Sequence, residues 1–121
     1  MGGACKGGSF DTLDPATETA IAQVAAGTRE DIDWAVPAAR VAFDDGGWPE
    51  LSGKVRAGYL RRIASLIRDK QQMLAELEVR DNGKSLPEAQ WDIDDTAYCF
   101  DFYADLAEKL NEEREQEVTH L

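Results

Sequence analysis

The sequence predicts a mainly α-helical chain with one β-hairpin at its N-terminal end, and three observations lead there. Apolar residues recur at helical spacing in three stretches between Thr28 and Asn111. Before them, an Asp14-Pro15 turn separates two short runs that alternate apolar and polar side chains, Phe10/Thr12 and Ile21/Gln23. The length of 121 residues, with 43% apolar and 31% charged side chains, suits at most one folded domain and excludes a disordered polymer.

Taken in order, residues 1–9 hold four glycines and little else, and are expected to form a flexible tail. The hairpin comes next, with strands near 10–13 and 20–24; a lone hairpin is marginal in water and needs something to pack against. Gly27 ends it, and Thr28 opens a helix with Asp31 placed for a capping box. Ile32, Val36, Ala39 and Phe43 make one apolar stripe on that helix, and Pro37 inside it is expected to kink it. Asp44 to Pro49 reads as a turn. Ser52 caps the longest predicted helix, roughly 53–80, with Val55, Tyr59, Ile63, Leu66, Ile67, Leu74 and Leu77 on one face. Asp81-Asn82-Gly83 stops it, Gly83 being suited to a left-handed conformation. Ser85 and Glu88 form a second capping-box pattern, with Pro87 in the first turn. They open a helix over about 86–111, with Ile93, Phe100, Tyr103, Ala107 and Leu110 on its inner face. The stretch 112–121 is highly charged and is expected to fray. Three long helices and a hairpin without a third strand make an incomplete architecture, of the kind that packs on something larger.

Charge narrows the partners. Thirteen Lys and Arg against twenty-four Asp and Glu give a net charge of −11, which repels the phosphates of nucleic acid and anionic lipid. Cationic ligands fit that balance. No apolar run approaches the ~20 residues of a membrane span, and the start MGGACKGGSF lacks the apolar core of a secretory signal. Two cysteines, Cys5 and Cys99, make no disulfide framework, which reads as a reduced, cytoplasmic protein. Neither cysteine has a histidine nearby, and Cys99 reads as a small hydrophobe; His120 lies in the charged terminal stretch.

The stretch richest in chemistry is Trp91-Asp92-Ile93-Asp94-Asp95. At 100° per residue, Trp91, Asp92 and Asp95 share one face of the third helix. Two carboxylates beside an indole ring suit an amine or quaternary ammonium, since carboxylates pair with ammonium and the indole face attracts cations. From spacing alone, an acidic solvated face with Trp91 packed into a core is the commoner explanation. Asp81 is similarly two-sided: a carboxylate for a hard cation, or a helix-end and turn residue, the latter commoner. No G-x-G-x-x-G, P-loop, C-x-x-C or H-E-x-x-H pattern is present, so nothing here carries a reaction by itself.

Together, several stretches resemble the N-terminal part of the aldehyde dehydrogenase superfamily. They are Leu13-Asp14-Pro15-Ala16-Thr17, Thr28 to Val36, Ala38-Ala39-Arg40, Ala42-Phe43, Gly47-Trp48 and Arg56 to Ala64. Leu77-Glu78, Asp81 to Leu86 and Phe102 to Ala107 continue the pattern, so that it covers roughly residues 10–110 in order. Trp91 to Asp95, with Cys99-Phe100 and Tyr103 to Ala107, looks most like the aminoaldehyde and betaine aldehyde dehydrogenases. The resemblance implies a truncated N-terminal part of an α/β, Rossmann-like fold, with residues 10–111 forming a partial coenzyme-domain segment. It implies an oxidoreductase that uses NAD or NADP to turn amino- or betaine-type aldehydes into acids, a homo-oligomer when complete. Its substrate is a small aldehyde with a cationic end, which Trp91, Asp92 and Asp95 would receive. It further implies a monovalent cation, Na or K, held by backbone oxygens near Thr12 and Leu13 with the carboxylate of Asp81. The family's catalytic cysteine and glutamate and its coenzyme-binding residues lie downstream of this stretch, so the chain contributes no catalytic residue and is expected to be inactive alone. The alternative is a small non-enzymatic interaction protein that binds a full-length dehydrogenase through its exposed helix faces.

Overall fold

The computed structural model describes residues 7–118, with side chains through Lys109. Two strands and four helices follow in order: β1 (Ser9–Leu13), β2 (Ala20–Ala25), α1 (Arg29–Asp45), α2 (Gly53–Asp69), α3 (Gln71–Asn82) and α4 (Leu86–Val118). They divide into two compact units. One comprises the chain through Glu50 together with Arg80–Gly83, and the other comprises Leu51–Val79 together with the chain from Lys84 onward.

In the first unit, β1 and β2 pair antiparallel as expected, Ser9 opposite Ala25 and Thr12 opposite Ala22. Leu13 then faces Ala20, so the register slips at Ile21 in a β-bulge. Asp14 builds the turn with its own side chain: Oδ1 accepts from the amides of Ala16 at 2.8 Å and Thr17 at 3.2 Å, and its backbone carbonyl accepts from Glu18 at 2.7 Å. Glu18 closes the turn at φ 58°, an uncommon conformation for a residue with a side chain. Helix α1 opens on the predicted capping box. Thr28 Oγ1 accepts from the Asp31 amide, and Asp31 accepts in return from the Thr28 amide at 2.8 Å. Pro37 lies inside this helix and does not end it. No side chain of α1 is buried. Ile32, Val36 and Phe43 are exposed on one side, Trp34 and Val41 on the opposite side.

The second unit departs from the predicted single helix over 53–80. Ser52 caps α2 as expected, accepting from the Val55 amide at 3.3 Å. The helix then breaks at Lys70, whose φ of −113° and ψ of 12° leave the helical region and turn its amide to Ile67 O at 3.1 Å. No glycine or proline marks the break. Helices α2 and α4 run antiparallel, as their charge pairs show: Arg61 donates to Asp105 and Glu108, each at 2.8 Å, and Arg68 to Asp101 at 2.6 Å. Nearer the start of α4, Gln90 donates to Gln72 of α3 at 3.0 Å.

The core corrects the apolar faces read from the sequence. Among the described residues, the fully buried apolar side chains are alanines: Ala57 and Ala64 on α2, Ala75 on α3, and Ala89, Ala97 and Ala104 on α4. Alanine spaced about seven apart lets two helices approach with little between them, while the longer apolar side chains are pushed to the flanks. Val55, Tyr59, Ile63, Leu66 and Leu77 are accordingly exposed. On α4, Ile93, Phe100 and Ala107 are half-buried, but Tyr103, placed on the inner face by spacing, is 60% exposed. Cys99 is exposed too, and so does not fill the hydrophobic role expected of it. Helix α4 continues to Val118, past the predicted end at Asn111, in keeping with the Glu, Gln and Arg that follow. Cys5, His120, most of the tail expected over 1–9 and the side chain of Leu110 lie outside the described residues.

Candidate functional site

The α4 face arises from helix geometry. Gly83 ends α3 in the left-handed conformation (φ 79°) that the sequence assigns to it, and α4 starts three residues later. Ser85 Oγ donates to Glu88 Oε2 at 3.0 Å, a side-chain bond between the two residues of the expected capping pattern in place of its bonds to helix amides. Two turns on, Trp91, Asp92 and Asp95 emerge on one side, all exposed. Trp91 is 74% exposed, so it does not pack into a core among the described residues. The arrangement therefore presents an uncovered indole beside two carboxylates, one helical turn from Trp91 to Asp95.

The two carboxylates are not equivalent. Lys84 Nζ binds Asp92 Oδ2 in a short contact and also Glu78 Oε1 at 2.7 Å. Lys84 and Glu78 are each about a quarter exposed, less than Asp92. The hydrogen bond to Asp92, then that to Glu78, raises the Lys84 pKa well above the usual lysine range, so its ammonium stays charged. The Asp95 side chain has no ion pair or hydrogen bond among the described residues. Lys84 is the residue that sequence reasoning missed. Its spacing of six and eight residues from its partners matches no helical contact, because Lys84 lies between α3 and α4 and bonds one residue from each.

The second candidate set lies in the hairpin unit. Thr12 Oγ1 donates to Asp81 Oδ1 at 3.2 Å, across 69 residues of sequence. Leu13 is next along β1, its side chain exposed. A carboxylate, a hydroxyl and nearby backbone carbonyls are hard oxygen donors, the type that Na and K prefer. Among the described residues there is no group of three or more His, Cys, Asp or Glu that could hold a metal ion.

Comparison with known proteins gives these faces a context. The chain belongs to the aldehyde dehydrogenase family, whose model matches residues 4–120. The match runs beyond the 10–110 read from sequence stretches alone. The aminoaldehyde dehydrogenase 2 of Zea mays is 48% identical over 118 residues, covering 95% of this chain and 23% of that protein. The betaine aldehyde dehydrogenase 1 of Oryza sativa subsp. japonica is 50% identical over 108 residues, 87% of this chain and 21% of that one. Among solved structures, the betaine aldehyde dehydrogenase of Staphylococcus aureus in complex with NAD+ superposes with a TM-score of 0.80 at 37% identity, over 83% of this chain and 20% of that one. The chain thus spans about a fifth of the length of these relatives, matching their N-terminal portion. A hairpin with four helices is the part of their Rossmann-like fold that it carries. No described helix is long and apolar enough to cross a membrane.

Proposed function

We propose that this chain supplies the N-terminal segment of an NAD-dependent dehydrogenase for aldehydes with a cationic end, of the aminoaldehyde or betaine type. One observation carries the reading: the uncovered Trp91 ring beside Asp92 and Asp95, on a chain close to half identical to enzymes named for such aldehydes. Here Asp95 and Asp92 attract the ammonium or trimethylammonium group, and the indole face of Trp91 stacks against its methyl or methylene groups. Binding the charged end orients the aldehyde carbon toward the reacting centre, which other residues of the complete enzyme must supply. NAD, when bound, accepts the hydride; the similar Staphylococcus aureus enzyme was solved in complex with NAD+, which favours it over NADP. Thr12, Asp81 and the backbone by Leu13 would hold a Na or K ion; the Thr12–Asp81 hydrogen bond supports the pairing of these residues. The complete enzyme is a homo-oligomer. Two cysteines without a disulfide framework favour the cytoplasm, whereas relatives in Pisum sativum and Arabidopsis thaliana are named peroxisomal and chloroplastic; imaging of the tagged native protein decides between them.

The chain alone should not oxidise aldehydes. Combined with the remaining four-fifths of the maize relative, it should restore NAD reduction with betaine aldehyde in preference to its neutral isostere, in which carbon replaces the quaternary nitrogen. Asp95→Asn should remove most of that preference. Equal rates with charged and neutral aldehydes would refute the reading.

A further inference from the structure

With the Trp91 face taken as a cation site, a reading on which the role of Lys84 rests, the surrounding charges bear on which cations that face accepts. Glu78 and Asp92 both accept from Lys84, and Asp95 lies beside Trp91 on the same side of α4, within a helix start that also carries Glu88 and Asp94. An ammonium ligand on Asp92 and Asp95 would sit within a few ångströms of the Lys84 Nζ, because that atom already touches Asp92. Lys84 cannot turn away without giving up its bond to Glu78.

We propose that Lys84 is a positioning and specificity residue: it fixes the Asp92 carboxylate and keeps the face from favouring doubly charged over singly charged ammonium ligands. Lys84 does this in two ways. It restrains one Asp92 oxygen, leaving the other to meet the ligand in a set direction. It also repels every positive charge that arrives, and a diamine feels that repulsion at both of its ends. For one charge about 6 Å away in a water-like dielectric, removing the Lys84 charge strengthens binding about 3-fold, and for two close charges up to about 10-fold. Lys84 therefore sets a ratio of affinities as well as a level.

The test uses the whole chain, with the Trp91 indole N–H followed by two-dimensional NMR and assigned by its loss in Trp91→Phe. Tetramethylammonium and putrescine are titrated at constant ionic strength. Lys84→Met should tighten putrescine more than tetramethylammonium, by up to about 3-fold. Lys84→Arg, which keeps the charge, should retain the wild-type ratio, and Glu78→Gln should move it the opposite way from Lys84→Met. Far-ultraviolet circular dichroism checks that each variant keeps its helices. Unchanged ratios in both Lys84→Met and Glu78→Gln, with wild-type Trp91 still responding to both cations, would overturn the role of Lys84 and leave the cation face standing. A wild-type Trp91 resonance that neither cation moves would overturn both.

Discussion

Replacing Ala64 with leucine tests the central packing claim, that alanines rather than large aliphatic side chains hold α2 against α4. Ala64 is fully buried, and the pairs Arg61–Asp105 and Arg68–Asp101 bracket it at 2.8 and 2.6 Å. An isobutyl group in place of a methyl has nowhere to go unless the helices part, and parting them stretches both ion pairs. Overpacking of this kind costs about 1–3 kcal/mol. Leu66, two residues on, is 41% exposed, so Leu66→Ala should cost less than the about 2–5 kcal/mol of a buried leucine. Urea titration of the chain, followed by its far-ultraviolet helix signal, compares the two. The midpoint should fall clearly for Ala64→Leu and only slightly for Leu66→Ala. The reverse order would mean that Leu66 faces the core and that the α2/α4 seam has been placed wrongly.

Local chemistry sets three further outcomes. Thr28→Val removes the hydroxyl of the α1 capping box and should cost about 1 kcal/mol, seen as faster amide exchange over the first turn of α1. Gly83→Ala forces a side chain into a left-handed backbone at a cost of about 1–2 kcal/mol. Its Cβ would also stand 3.0 Å from Pro15 Cγ, so a lower urea midpoint is expected and an unchanged one would contradict the turn. Finally, Arg61 lowers the Glu108 pKa from the usual carboxylate range, chiefly through their hydrogen bond. A depressed native pKa gives stability that is present above the unfolded value, about 4.3, and is lost as pH falls through the folded one. The stability gap between wild type and Arg61→Gln should thus be present at neutral pH and close in acid; a gap independent of pH would refute the assignment.

What could be read from the sequence was local. The Asp14-Pro15 turn, the caps at Thr28 and Ser52 and the left-handed Gly83 each depend on a few neighbouring residues, and each stands where expected; Ser85 stands just before α4 but bonds the Glu88 side chain. The break at Lys70 has no such signal, since the residues around it all tolerate a helix. The core was misread for a different reason. Periodicity shows which residues share a face, but not whether that face meets a close helix or open space, so Ile63 and Leu66 outranked Ala57 and Ala64. In the candidate site, the shared face of Trp91, Asp92 and Asp95 followed from the helical repeat. The Lys84 bridge required knowing where the chain folds back, and the meeting of Thr12 with Asp81 came only from the family resemblance.

Helix α1 has a consequence for how such proteins are made. Its apolar side chains point in opposite directions, Ile32, Val36 and Phe43 one way and Trp34, 71% exposed, with Val41 the other. In relatives about five times as long, the matching N-terminal stretch leaves the ribosome while most of the protein is still unsynthesised. Translation proceeds at about 5–20 residues per second, so that stretch waits tens of seconds for its later neighbours. A helix greasy on one side can shelter against the first partner to appear. One that is greasy on two sides stays partly bare until the last of them arrives.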